Sequence, residues 1–171
     1  MTTEADPHVL RPDHAPTPFT AADIRANCRP GRTVTVLVEP AGAEPFRRIT
    51  RFMVCDEDGA DQEFRNLAID GRPLGPPEIR RSAWLDLQGH ASFPSDATTI
   101  EPDTIDLPIG RLDCLRYTVV DGDDVDSFWF ALAKPGMPVQ VVTRDAAGTS
   151  RVTMVAEEVA ANGEPPTVMD L

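Results

Sequence analysis

Two runs in which apolar and polar residues alternate, 111–120 and 125–132, flank Asp121-Gly122-Asp123-Asp124, and no other passage constrains the fold as strongly. A tight turn on Gly122-Asp123 sets Val120 against Val125, Tyr117 against Phe128, Arg116 against Trp129 and Leu115 against Phe130. Successive side chains of a strand point to opposite faces, so this register sorts the hairpin into two surfaces. One carries Leu115, Tyr117, Val119, Phe128, Phe130 and Leu132, an aromatic and aliphatic set that requires burial. The other carries Cys114, Arg116, Thr118, Ser127, Trp129 and Ala131, a mixed surface with one indole, one cation and several small groups.

The same period of two recurs along the chain. Residues 33–39 read TVTVLVE, with Val34, Val36 and Val38 on one face. Runs at 46–55 and 62–69 flank Asp58-Gly59, a dipeptide suited to a type I′ turn, and predict a hairpin that pairs Met53 with Phe64. Further strands are expected near 98–106, 111–120, 125–132, 138–144 and 149–157, separated by Gly, Pro and Asp clusters in the manner of a β-meander. Two helices break the pattern. Thr20 caps a short one through the amides of Ala22 and Asp23, and Pro30-Gly31 stops it. Ile79, Ala83 and Leu87 recur every fourth residue beside Trp84, and predict a second helix opened by Pro77 and closed by Gly89.

Residues 1–18 are polar and hold Pro7, Pro12, Pro16 and Pro18, which predicts a flexible N-terminal arm; 160–171, with Asn162-Gly163 and Pro165-Pro166, predict a flexible C-terminal tail. Residues 19–159 then form one β-rich domain. With 41% hydrophobic and 26% charged residues, the chain has the composition of a globular protein.

Charge narrows the partners. Against 16 Lys and Arg stand 28 Asp and Glu, a net charge of -12, which repels nucleic acid and anionic membrane surfaces alike and suits a basic protein partner. The N-terminal residues lack a basic start and an apolar run, and nowhere do eighteen apolar residues run together, so a cytoplasmic location is expected. Cys28, Cys55 and Cys114 are odd in number and widely spaced, which suits reduced thiols. The acidic clusters at Asp121, Asp123, Asp124 and Asp126 and at Asp56, Glu57, Asp58 and Asp61 lack the calcium-loop pattern and read as solvated hairpin tips. No metal site and no cofactor are expected.

For a site, the mixed face of the 111–132 hairpin offers two readings. If the sheet curls so that this face is concave, Trp129 and Arg116 supply a stacking wall and an anion partner among small residues. Otherwise Arg116 lies over the Trp129 indole as a cation–π pair, or the helix around Trp84 covers that indole. A catalytic alternative would join His90 to Cys114 or Asp113, and requires the fold to bring them within hydrogen-bond reach.

The passage GRLDCLRYTVVDGDDVDSFWFALAKPGMPVQV, through Gly110, Asp113-Cys114, the Trp129 strand and Pro135-Gly136-Met137-Pro138, resembles an uncharacterised family of bacterial β-rich curved-sheet domains that is distantly similar to lipoprotein-carrier half-barrels. The resemblance implies the half-barrel shape and brings no catalytic residues. The expected fold is therefore mainly β (α+β): a single strongly bent antiparallel sheet or half-barrel of about eight strands, with one or two short helices across one opening. The expected function is a non-catalytic binding or interaction module. Its site is expected at Trp84, Phe93, Cys114, Arg116, Trp129 and Met137, and its partner is a small amphipathic ligand, a basic protein, or a second copy joined through a sheet edge.

Overall fold

A computed structural model describes residues 3–159. The chain enters through helix α1, Ala21–Asn27, where Thr20 and Asp23 close a capping box: the Thr20 hydroxyl accepts from the Asp23 amide and the Asp23 carboxylate accepts from the Thr20 amide. Pro30 and Gly31, the latter at φ 89°, end this entry and release the chain into β1, Thr33–Glu39. Then follow β2, Phe46–Cys55; β3, Gly59–Ala68; β4, Glu78–Ala83; and helix α2, Trp84–Gly89. The second half supplies β5, Thr98–Leu107; β6, Gly110–Asp121; β7, Asp124–Ala131; β8, Gln140–Asp145; and β9, Gly148–Glu158.

All nine strands form one antiparallel sheet in the order β4-β3-β2-β1-β9-β8-β7-β6-β5, one strand more than the sequence suggests. Two meanders, β1 to β4 and β5 to β9, are thus stitched along β1 and β9. The edge strands carry features that discourage further pairing: Pro102 with Glu101, Asp103 and Asp106 on β5, and Glu78, Arg80 and Arg81 on β4.

The β6–β7 hairpin has the expected register, from Cys114 opposite Ala131 to Asp121 opposite Asp124, with Gly122 at φ 62° in the turn. Tyr117 and Phe130 are buried as their face requires, their rings 5.2 Å apart and edge to face. Leu132 departs from that pattern: it lies past the end of β7 and is exposed. Both short helices pack on the Tyr117 face, where Phe19, Ile24, Trp84, Tyr117 and Phe130 make one buried cluster. Val34, Val36, Cys114, Ala131, Val139 and Met154 make the second.

Two expectations give way. The stretch from Ile79 to Leu87 is not one helix: Glu78–Ala83 pairs with β3, and helix starts only at Trp84. The fourfold recurrence was coincidental, since Ile79 is 62% exposed while its strand neighbour Ser82, half-buried, lies on the opposite face and lines the cavity. A side chain on Gly59 would run into the Ser82 carbonyl oxygen, so this glycine admits β4 beside β3. The β2–β3 register also differs. Phe64 lies opposite Thr50 rather than Met53, because the turn sits one residue earlier than expected, with Cys55 opposite Ala60, and a bulge between Phe52 and Cys55 adds one further residue of offset. Asp56 shapes that turn, its carboxylate accepting from the amides of Asp58 and Gly59 at 2.9 and 3.0 Å.

The stretch expected to be an arm makes contacts with the domain. Residues 7–18 lie against the domain: the Ala15 amide donates to the Phe93 carbonyl at 2.9 Å, and the Tyr117 hydroxyl donates to the Pro16 carbonyl at 2.7 Å. Buried Gln88 donates to the Pro7 carbonyl at 2.8 Å and the Thr17 hydroxyl at 3.0 Å, while its own oxygen accepts from the Ala21 amide at 2.9 Å. Prolines restrict the unfolded chain and so reduce the entropy lost on docking. The C-terminal tail expected at 160–171 lies outside the described residues.

Candidate functional site

The concave face is set by register. Thr50 lies opposite Phe64, Phe52 opposite Gln62, and Gln62 opposite Arg80, so Thr50, Phe52, Gln62, Phe64, Arg80 and Ser82 share the face that α1 and α2 cover. The helices do not fill the curve. Between them and the sheet is a cavity of about 390 Å³, walled on the far side by Phe128 and Phe130, roofed by Ile24, Leu87, His90 and Ala91, and closed by Gly136, Met137 and Pro138 of the loop after β7. Its size falls within the ~300 to 1,000 Å³ typical of small-molecule sites.

Two polar side chains on this wall, Thr50 and Gln62, are buried, and Arg32 at the foot of β1 is only 2% exposed. Alternation from Arg32 through Val34, Val36 and Val38 carries the guanidinium to the covered side. Its Nη1 donates to the Cys28 sulfur at 3.1 Å, its Nη2 lies 3.5 Å from a Glu157 carboxylate oxygen, and its Nε has no hydrogen-bond partner. Burial pushes the Cys28 thiol up in pKa, against the opposing pull of Arg32, so the sulfur is a neutral acceptor. The loop after β7 is pinned where the Asn27 amide donates to the Pro135 carbonyl at 2.8 Å. Gly136, at φ 138°, presses its backbone on this corner: a Cβ there would sit 3.4 Å from both Arg32 Nη1 and Cys28 Sγ. At the rim the Arg80 guanidinium stacks 4.6 Å from the Phe64 ring centroid and pairs with Glu78 at 3.1 Å.

The six residues expected to line one site do not meet. Met137 lines the cavity, and Phe93 stands behind its wall, stacked on Phe128 at 4.9 Å. Trp84 is in the same cluster, but its indole N–H donates to the Asp56 carbonyl at 2.8 Å. Cys114 and Trp129 belong to the other cluster. Arg116 and Trp129 share an acceptor rather than stacking: the indole N–H donates to Asp103 at 2.9 Å, and Arg116 pairs with Asp103 at 3.3 Å and Glu101 at 2.5 Å. That N–H, ahead of other causes, holds the Asp103 carboxyl below its usual range. Two carboxylates thus neutralise the cation expected to bind an anion.

The catalytic grouping also separates. His90 lines the cavity mouth, Asp113 accepts from the Thr104 hydroxyl at 3.1 Å, and the Cys114 thiol lies 3.7 Å from the Leu112 carbonyl with its pKa pushed by burial to about 11. Among the described residues there is no group of three or more His, Cys, Asp or Glu placed to hold a metal, and no helix is long and apolar enough to cross a membrane. Arg32 is the main residue that sequence reasoning passed over. Its parity with Val34, Val36 and Val38 was the signal that could have placed it inside.

No family model matches the sequence, and no curated protein is significantly similar to it. Solved structures do share its shape. MucB alone superimposes with a TM-score of 0.56 at 12% identity over 85% of this chain and 57% of MucB. MucB in complex with MucA(peri) gives 0.54 at 12% over 84% and 58%, and the MucA/MucB complex of Pseudomonas aeruginosa gives 0.55 at 13% over 85% and 56%. The chain thus spans less than two thirds of the MucB chains it matches, and at these identities the likeness is one of fold: a single bent antiparallel sheet carrying short helices on one face.

Proposed function

We propose that the protein is a non-catalytic binding module that holds a small amphipathic guest in the cavity between its helices and its sheet. The observation that carries this is the cavity itself, 390 Å³ of space walled by phenylalanines and closed at one corner by a buried arginine. A well-packed interior leaves few voids larger than a water molecule, so an apolar space of this size suits a guest. Native mass spectrometry of freshly purified protein tests it, with Ser82→Phe as the variant that fills the space from β4. The expected result is a small molecule on the wild type that Ser82→Phe lacks at unchanged circular dichroism. Equal occupancy of both proteins, or none after incubation with a panel of amphiphiles, would refute the reading.

A second reading, a protein partner, draws support from MucB, a protein of the same fold that has been solved in complex with MucA(peri). The net charge of -12 favours a basic partner here. Such an association weakens steeply from low to high salt, whereas dimerisation through a sheet edge is insensitive to salt in light scattering. Three free thiols, two of them buried, support a reducing compartment and with it the cytoplasm.

A further inference from the structure

We infer that the guest is a single-chain amphiphile with an anionic head, and that Arg32 receives that head. This rests on the cavity being a ligand site. The chain as a whole carries 28 acidic residues against 16 basic ones, so a random patch of its surface is acidic. The cavity lining inverts that balance: by the same count it contains Arg32 inside and Arg80 at the rim, and no aspartate or glutamate.

Arg32 is also under-compensated. Burying a guanidinium is costly unless close hydrogen-bonded partners replace its water, and an anionic partner normally sits at about 2.7 to 2.9 Å. Here the one carboxylate, Glu157, is at 3.5 Å, and the same oxygen accepts from Lys134 at 3.1 Å. Two cations therefore share one anion. The Cys28 thiol, held neutral by burial, adds no second negative charge, and Nε is without a partner. An incoming carboxylate or similar head would supply the missing charge, and it would do so at the wall where Thr50 and Gln62 bring further polar atoms among the phenylalanines. The volume lies near the small end of the ~300 to 1,000 Å³ range for ligand sites, which favours one alkyl chain over two.

Calorimetric titration with dodecanoate, dodecan-1-ol, dodecyltrimethylammonium and inorganic phosphate tests the head and the tail separately. Dodecanoate is expected to bind about tenfold or more tighter than the alcohol, as befits a charge-assisted bond made out of water, with the ammonium weaker than both and phosphate weakest. Arg32→Gln should erase the preference for the anion over the alcohol. Should that variant fail to fold, Lys134→Ala reads the same charge, because it leaves Glu157 to Arg32 alone and should narrow the preference; Glu157→Gln should widen it. Equal binding of anion, alcohol and ammonium would overturn the assignment of the head while leaving the cavity as a site. Phosphate binding as tightly as dodecanoate would overturn the amphiphile. Binding of none of the four would remove both this inference and the function it rests on.

Discussion

Tyr117 is the single tyrosine of the chain, so its ionisation can be followed without interference from a second phenol. It is 2% exposed, and its hydroxyl donates to the Pro16 carbonyl of the N-terminal segment at 2.7 Å. Burial pushes its pKa from 10.0 up to about 12. The phenolate is thus disfavoured in the folded protein, which retains its proton at a pH where the unfolded chain has lost it. Stability from this group is therefore complete below pH 10 and is lost as the pH rises towards 12. A pKa difference of that size is equivalent to about 3 kcal/mol, a substantial part of a typical ~5 to 15 kcal/mol folding free energy. Urea unfolding at a series of alkaline pH values should show the decline, and phenolate absorbance should rise with unfolding rather than ahead of it. In Tyr117→Phe the share of the decline due to this group disappears, leaving that of the raised Cys28, Cys55 and Cys114 thiols. At neutral pH this variant loses about 1 to 3 kcal/mol, because the Pro16 carbonyl is left without its donor. A phenol that titrates near 10 in the folded protein, or an unaltered alkaline decline in Tyr117→Phe, would refute both the burial of this ring and the docking of the segment above it.

Gly59→Ala should cost about 1 to 3 kcal/mol in urea unfolding, since the new methyl meets the Ser82 carbonyl and pushes β4 from β3. Thr20→Ala removes one arm of the α1 capping box and should lower stability by about 0.5 to 2 kcal/mol in thermal melts followed by circular dichroism. Cys114, buried and with a pKa of about 11, should resist a thiol-directed disulfide reagent at neutral pH until the protein unfolds, which a stopped time course with Cys28 and Cys55 replaced by serine would show. Ile79→Lys should leave stability within about 0.5 kcal/mol, as an exposed position on an edge strand permits and as a core position on a helix would not.

Strands announced themselves wherever alternation was strict and a turn residue fixed the register. TVTVLVE became β1 from end to end, and the 111–132 hairpin paired as its Gly122 turn dictates. Where a bulge or a side-chain-built turn intervened, as between Phe52 and Asp56, local pattern could not count the offset. The 79–87 stretch failed for a related reason: a fourfold stripe of three residues is short enough to arise by chance on a strand followed by one turn and a half of helix. The site was less legible than the fold. The indole and guanidinium face looked functional because it was mixed, yet Asp103 and Glu101 arrive from β5 to satisfy it, a pairing invisible in the hairpin alone. The cavity instead draws its walls from β2, β3, β4 and β7, and helices too short to fill the bend leave it open.

The stitching of β1 to β9 has a bearing on how the molecule is made. Thr33 pairs with Glu158, so the centre of the sheet joins residues at opposite ends of the domain, while every other ladder joins neighbours along the chain. Each meander can assemble from nearby contacts on its own, but their union waits until β9 has emerged and closed a loop of the whole domain, a slow step by the usual dependence of rate on sequence separation. During synthesis β1 therefore stands as a bare valine edge, and the nascent chain is most exposed to wrong partners in that interval.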